Sequence, residues 1–299
     1  MKDEKRFIII DGHAILHRAY HALPPLTTKK GELVSAVYGF LLVFFKAIKE
    51  LQPDYIVATF DLPGPTFRHK KFEAYKATRP KTPEEFYLQI PRIKEILKSF
   101  NVAIFEKEGY EADDLIGTIA RLIPKKQALP KINTIILSGD LDVLQLINPQ
   151  TKVWFLRKGV KDIVLYDEGA VGTRYQGLRP DQLSDYKALR GDPSDNIPGA
   201  PGIGEKTAIE LLTKFGTIES LYKELELKTE KAKKLKVRIR EILIQSKEQV
   251  FLSKMLATID RNVEIDFNLE KYIWSKYDKE KTSQLLKNLE FFSLVSRLP

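Results

Sequence analysis

The sequence predicts an α/β chain, in which a mostly parallel central sheet flanked by helices spans residues 1–166 and a helical region spans 167–299. Three observations predict it. Short β-rich runs alternate with helix-period apolar patterns through the first two thirds of the chain. Several of those runs end in aspartate. From about Asp167 the strand patterns stop, and helical patterns punctuated by Pro and Gly take over.

The expected strands are RFIIID at 6–11, DYIVATFD at 54–61, VAIFE at 102–106, NTIILSGD at 133–140 and KVWFL at 152–156. Between them GELVSAVYGFLLVFFKAIKEL, DDLIGTIARLI and DVLQLI carry the apolar spacing of helices. RKGVKDIVLYD reads as a small hairpin or sheet edge. Residues 62–90, with PGP, RHKK and TRPKTP, fit neither pattern and form a long excursion, which in a compact domain points to function or disorder. After 166, RPDQLSDYKALRG, GIGEKTAIELLTKFG and a Lys-rich stretch to about Leu256 read as helices, and SQLLKNLEFFSLVSRL closes the chain.

At 299 residues the chain can bury a core without a disulfide or zinc staple. It has no cysteine, which excludes thiol catalysis and thiolate metal sites and is compatible with the cytoplasm. The longest apolar stretch, FLLVFF at 40–45, is too short to span a bilayer, and the charged start MKDEKRFIIIDG lacks the pattern of a signal peptide. Forty-nine Lys and Arg against forty Asp and Glu give a net charge of +9, with basic residues crowded in 66–81 and 228–240. Such a balance favours polyanionic partners.

Carboxylates concentrate at one edge. Ligands of open parallel sheets bind beyond the carboxyl ends of the strands, where Asp11, Asp61, Asp140 and Asp142 are delivered. The helix opened by GYEADDLIG starts at the same edge and adds Glu111, Asp113 and Asp114. Any one of these reads locally as a helix cap or turn residue. Together they repel one another and call for cations; all-oxygen donors favour Mg²⁺ or Mn²⁺, and two such ions about 3.5–4 Å apart suit phosphodiester displacement. Asp192 and Asp195, in LRGDPSDNIPG, read locally as a helix C-cap followed by an Asx turn.

PGAPGIGEKTAIELL is not a P-loop, because Glu205 separates Gly204 from Lys206, and no strand precedes it. It reads as helix, Gly-rich hairpin, helix, equally a tight packing turn or a backbone-phosphate site. His13, His17 and His21 recur every four residues; a polar helix face is the reading over a zinc site, since no further ligand stands at metalloprotease spacing.

IIIDGHAILHRAYHA, AVYGF, TFDLPGPTFRHKKFEAYKATR, GYEADDLIG, LSGDLDVLQL and ALRGDPSDNIPGAPGIGEKTA together resemble the 5′ nuclease domain of bacterial DNA polymerase I and the wider flap endonuclease family, from about Phe7 to Leu294. The resemblance implies a PIN/FEN-like fold with a helical arch over the active site at about 62–90, then a helical domain with a helix-hairpin-helix. It implies two divalent metals held by Asp11, Asp61, Glu111, Asp113, Asp114, Asp140, Asp142, Asp192 and Asp195, which reverses the local reading of the last pair, and a helix beginning at Asp140 to Leu146. Leu141 departs from the family, which often has a polar or basic residue there. Lys76 and Arg79 match positions near the scissile phosphate, where positive charge stabilises the transition state; with Asp114 they form the expected catalytic set. Arg18 and Arg68 are further candidates for steering phosphates, while Tyr20 and Tyr75 read as packing. The hairpin residues Gly202, Ile203, Gly204, Lys206 and Thr207 would grip duplex DNA, with a potassium ion on backbone carbonyls as the family often has.

The function this implies is a two-metal, structure-specific 5′-3′ exonuclease and flap endonuclease, leaving a 5′-phosphate and 3′-hydroxyl, in removal of RNA primers and flaps during replication and repair. A monomer acting on DNA with a free 5′ end or flap, with a polymerase domain in cis or in trans and no membrane, completes the expectation. The alternatives are a non-catalytic junction-binding protein of the same fold and a small PIN-type RNase, which would lack the helical domain and hairpin.

Overall fold

The computed structural model describes residues 4–123 and 131–299; the first three residues of the charged start lie outside them. Strands β1 (Lys5–Asp11), β2 (Tyr55–Thr59), β3 (Ala103–Phe105), β4 (Ile132–Ser138), β5 (Thr151–Lys158) and β6 (Asp162–Tyr166) form one sheet in the order β3-β2-β1-β4-β5-β6. The first five are parallel, and β6 pairs antiparallel with β5 as the expected edge hairpin. In β1 the run Phe7 to Ile10 is at most 1% exposed, as a strand covered on both faces requires. Ile8 and Ile10 enter one apolar cluster, while Phe7 and Ile9 enter the other, the period-two alternation of a strand.

Helices α1 (Gly12–Ala22), α2 (Ser35–Leu51), α3 (Phe67–Lys71), α4 (Glu84–Tyr87), α5 (Gln89–Ser99) and α6 (Ala112–Leu122) belong to this part. α1, α2 and α5 cover one face, with Phe40 and Phe44 of the apolar FLLVFF run fully buried there. α6 covers the other face. The expected DVLQLI helix is only a 3-10 turn, Asp142–Leu146, because Asp140 Oδ1 accepts from the Asp142 N–H at 2.9 Å and tightens the chain as it leaves β4.

The helical part holds α7 (Glu168–Arg174), α8 (Leu183–Arg190), α9 (Glu205–Phe215), α10 (Ile218–Glu226), α11 (Glu230–Lys233), α12 (Val237–Gln245) and α13 (Lys247–Ala257), and α8 to α13 share a core of their own around Leu189, Leu212 and Leu221. The tail, with α14 (Lys279–Asn288) and α15 (Phe292–Val295), does not stay with it. Ile259, Leu269 and Tyr272 join the α6-side core, Leu286, Leu289 and Leu294 join the α2-side core, and the Trp274 N–H donates to Asp54 O at 2.8 Å. The sheet part before 166 is thus covered in addition by the C-terminal segment, which packs back on it after the helical part.

Excursion 62–90 contains the short helices α3 and α4. Phe72 and Tyr75 pack on Ile197, Leu256 and Ala257, and the Lys76 N–H donates to Asp195 O at 2.9 Å, so the excursion lies against the helical part.

Candidate active site

The sheet order reverses between β1 and β4, and the carboxyl ends of these strands carry Asp11 and Asp140. Asp11 caps α1 by accepting from Ala14 N at 3.0 Å, and its other oxygen accepts from Ser138 Oγ at 2.5 Å. Burial, reinforced by the charges of Asp140 and Asp61, pushes its carboxyl up to about 7 against those two hydrogen bonds. Ser138, which sequence reasoning passed over within LSGD, also accepts from Asp140 N at 2.9 Å and so ties the two strand ends together. Asp61, two residues beyond β2, accepts from Ala112 N at 2.7 Å at the start of α6, and His13 Nδ1 lies 3.6 Å from its second oxygen. Burial lowers the His13 pKa against the charge of Asp61, and this nitrogen has no hydrogen-bond partner among the described residues.

The acidic trio at α6 divides. Glu111 and Asp114 form a reciprocal capping box, as the local reading of a helix N-terminus expects. Glu111 also accepts from Lys76 Nζ at 2.7 Å and from the Tyr75 hydroxyl at 3.2 Å. Asp113, without a hydrogen bond or ion pair among the described residues, is raised well above the usual carboxylate range by burial and by Asp140, Asp11 and Asp142. Asp114 is fully buried, and its oxygens accept from Arg68 Nη1 and Nη2, each at 2.8 Å, from Glu111 N at 3.1 Å and from Asp260 N at 2.8 Å. With two donors on each oxygen its acceptor sites are filled. Asp114 thus anchors this corner of the fold, and the expected metal-ligand and catalytic role requires one of these donors to move. Arg68 is 2% exposed, donates also to Leu256 O and Thr258 O, and brings Nη1 to 3.5 Å from Glu111 Oε2 at the wall of the cleft, so its donors are engaged by protein groups.

Asp142 and Asp192 come together through a residue the sequence reading missed. Lys187, on α8, reaches both carboxylates, lying 2.6 Å from Asp192 Oδ2. Both acids raise the Lys187 pKa against its burial. Burial and the charge of Asp140 push Asp142 up to about 7, although Lys187 opposes the shift. No motif marks a lone Lys five residues before Asp192; only docking α8 on the sheet reveals it. The Asx turn expected locally at Asp192 is present, with Ser194 N donating to Oδ1 at 3.0 Å, so Asp192 serves the turn through one oxygen and meets Lys187 through the other. Gly191 and Gly199 make this loop possible: a Cβ on Gly199 would lie 2.2 Å from Gly191 N.

Asp195 accepts from Arg79 through one oxygen, and the Tyr75 hydroxyl is 3.4 Å from the other. Lys76 has φ +57°, a left-handed conformation that non-glycine residues rarely adopt and that concentrates at functional sites. One cleft gathers Tyr75, Lys76, Arg79, Glu111, Asp113, Asp140, Asp142 and Asp195. Arg18 of α1 donates to Gly139 O at 2.8 Å, beside it.

The hairpin is separate. Gly202, Gly204 and Lys206 are exposed and Thr207 half-exposed, while Ile203 is buried and anchors the loop in the helical core. Gly204 precedes α9, whose first N–H groups lack intrahelical acceptors. On α1, His17 and His21 bring their Nε2 atoms to 3.2 Å, and His13, His17 and Tyr20 surround the Phe86 ring.

Residues 6–176 match the family described as 5′-3′ exonuclease, N-terminal resolvase-like domain, and 178–280 match 5′-3′ exonuclease, C-terminal SAM fold. DNA polymerase I of Bacillus caldotenax is 40% identical over 99% of this chain and 32% of its own length; the thermostable DNA polymerase I of Thermus aquaticus is 39% identical over 97% and 32%. The chain thus spans about a third of the length of these relatives. The zinc-bound T5 5′-exonuclease superposes with a TM-score of 0.70 at 21% identity, covering 86% of this chain and 90% of that one. The catalytic core of Rad2 with DNA substrate gives 0.61 at 16%, covering 99% and 93%. Structures at these identities share the fold. By sequence match across both of its parts, the chain belongs to the 5′-3′ exonuclease family.

Proposed function

We propose that this family member hydrolyses DNA phosphodiesters at 5′ ends and flap junctions with two divalent ions, Mg²⁺ or Mn²⁺, held by Asp11, Asp61, Glu111, Asp113, Asp140, Asp142, Asp192 and Asp195. The observation that carries it is the convergence of Asp11, Asp113, Asp140 and Asp142, of which only Asp142 has an ion-pair partner among the described residues. The donor chemistry fits hard ions. Among the described residues no three His, Asp or Glu side chains already stand as a ligand set, and Lys187, Lys76 and Arg79 neutralise part of the cluster instead. Metal entry therefore requires these ammonium and guanidinium groups to shift.

Bound ions supply charge neutralisation and Lewis acidity at the phosphate. The chain's own residues orient and balance. Ser138 and Ala112 hold Asp11 and Asp61, while Lys76 and Arg79 bring positive charge over the cleft, suited to the developing charge of phosphoryl transfer. Residues 1–166, with 62–90 as the arch, form the nuclease core completed by the C-terminal segment; the inserted helical part binds duplex through Gly202, Ile203, Gly204, Lys206 and Thr207 and a potassium ion on backbone carbonyls. Ile203 contributes its backbone. RNA primer–DNA junctions, a polymerase domain in cis or trans, and a monomeric, cytoplasmic protein belong to the same reading. Among the described residues no helix is long and apolar enough to cross a membrane.

Cleavage of a 5′-labelled flap duplex with Mg²⁺ and with a chelator tests it. Cutting near the junction only with metal is the expected result. Tight binding without cutting in Mg²⁺ or Mn²⁺ would leave a junction-binding protein; cutting of plain single-stranded RNA would point to the PIN-type alternative.

A further inference from the structure

Residues 228–240 carry seven Lys and Arg against the single acid Glu230, so thirteen residues hold +6 of the chain's net +9. The stretch covers α11, the following turn and the first half of α12. Lys234, Lys236 and Arg238 are exposed and make no ion pair among the described residues, whereas Lys233 pairs with Glu230 at 2.7 Å. Concentrated like charge costs self-repulsion, and the Glu230 pair offsets only one of the seven cations. Its inward side is packed: Ala232 is buried, and Leu235, Ile239 and Ile242 pack on the helical core that also holds Ile203, while Val237 and Ile244 stay exposed. That packing fixes the charged face next to the Gly-rich hairpin. A Cβ on Gly202 would lie 3.7 Å from the Ile242 side chain. Lys231 of this stretch and Lys214 of α9 both lie over the Phe215 ring, at 4.9 and 5.3 Å, which holds one further cation, Lys214, on the α9 side of the same surface.

We propose that α11 and α12 extend the duplex-binding surface beyond the hairpin, following the phosphate backbone of the same DNA without reading sequence. This rests on the duplex-binding reading of the hairpin and deepens it. Backbone phosphates fit because the surface offers flexible cations and no donor–acceptor pattern suited to base edges. The nine residues of α12 span about 13 Å, the axial length of about four base pairs, so the face reaches DNA that the hairpin alone does not.

The test compares binding of the intact chain to two flap substrates, one with a duplex flank ending at the hairpin's reach and one about six base pairs longer, across a salt series. The wild type should bind the longer flank more tightly, with a steeper salt dependence. In the triple variant Lys234→Gln, Lys236→Gln, Arg238→Gln that gain should fall about tenfold and the log–log salt slope on the long flank by about 2–3, at roughly 0.9 for each phosphate no longer neutralised. An unchanged thermal melt shows that the variant folds. Equal weakening on both flanks, or an unchanged slope, would overturn the proposal; capture of an acidic protein segment in place of DNA would do the same. Absence of metal-dependent cutting by the wild type bears on the nuclease reading alone, since the binding comparison needs no metal.

Discussion

Asp113 and Asp114 are adjacent in sequence and opposite in surroundings. Asp113 shares the cleft with Asp140, Asp11 and Asp142, and its carboxyl is raised by burial and their charges. Asp114 points away into a pocket where the Arg68 fork and two backbone N–H groups fill its acceptor sites. Successive side chains at a helix start diverge by about 100°, so one residue step separates a carboxylate short of a cation from one already given its own. The lesson is that an acidic motif is a mixture: some members create the demand for metal, and others hold the loops that frame it. Arg68–Asp114 joins the excursion, α6 and the segment 256–260, three stretches distant in sequence.

The largest expected effect tests the buried member. Asp114→Ala strands the Arg68 guanidinium, and denaturant unfolding should show a loss of about 3–5 kcal/mol. The pair Arg68→Met with Asp114→Leu should recover much of it; a fully stable single Asp114→Ala variant would break the comparison. For the cleft member, Asp113→Asn should reduce kcat on a flap substrate by about 10²–10³-fold while leaving stability equal or higher, because a repelling charge is removed. A parallel fall in stability would place Asp113 with Asp114.

The pH response sharpens the contrast further. Asp11 and Asp142 have folded-state carboxyls near 7, above their ordinary 3.8. Between those values the folded chain binds more protons than the unfolded one, so metal-free stability contributed by the cluster falls as pH rises from about 4 to 7. Thermal melts in chelator should therefore drop over this window, and Mg²⁺ should reduce the drop. A flat profile would mean that Lys187 and its fellows already balance the cluster. Smallest is Arg79→Ala: the side chain is 48% exposed, and removing its charged hydrogen bonds to Asp195 should lower kcat/KM by about tenfold with little change in the melt.

Much of this molecule is legible in its sequence because the signals are local. Alternating β-rich and helical periods, aspartates ending FIIID and opening α6, and Gly202 and Gly204 in PGAPGIGEKTAIELL declare the sheet class, the cleft edge and the hairpin without knowledge of distant partners. Which carboxylates remain unpaired is decided elsewhere. Arg68 finds Asp114 across 46 positions, Lys187 finds Asp142 across 45, and Asp260 N finds Asp114 across 146. The tail's return to the sheet is equally nonlocal, since Leu286 and Tyr272 are ordinary apolar residues until two clusters accept them. Period, cap and turn chemistry operate over a few residues, so sequence alone determined the elements and the edge where acids gather. Counter-charge assignment depends on burial and on groups within a few ångströms, and these exist only once the chain has folded.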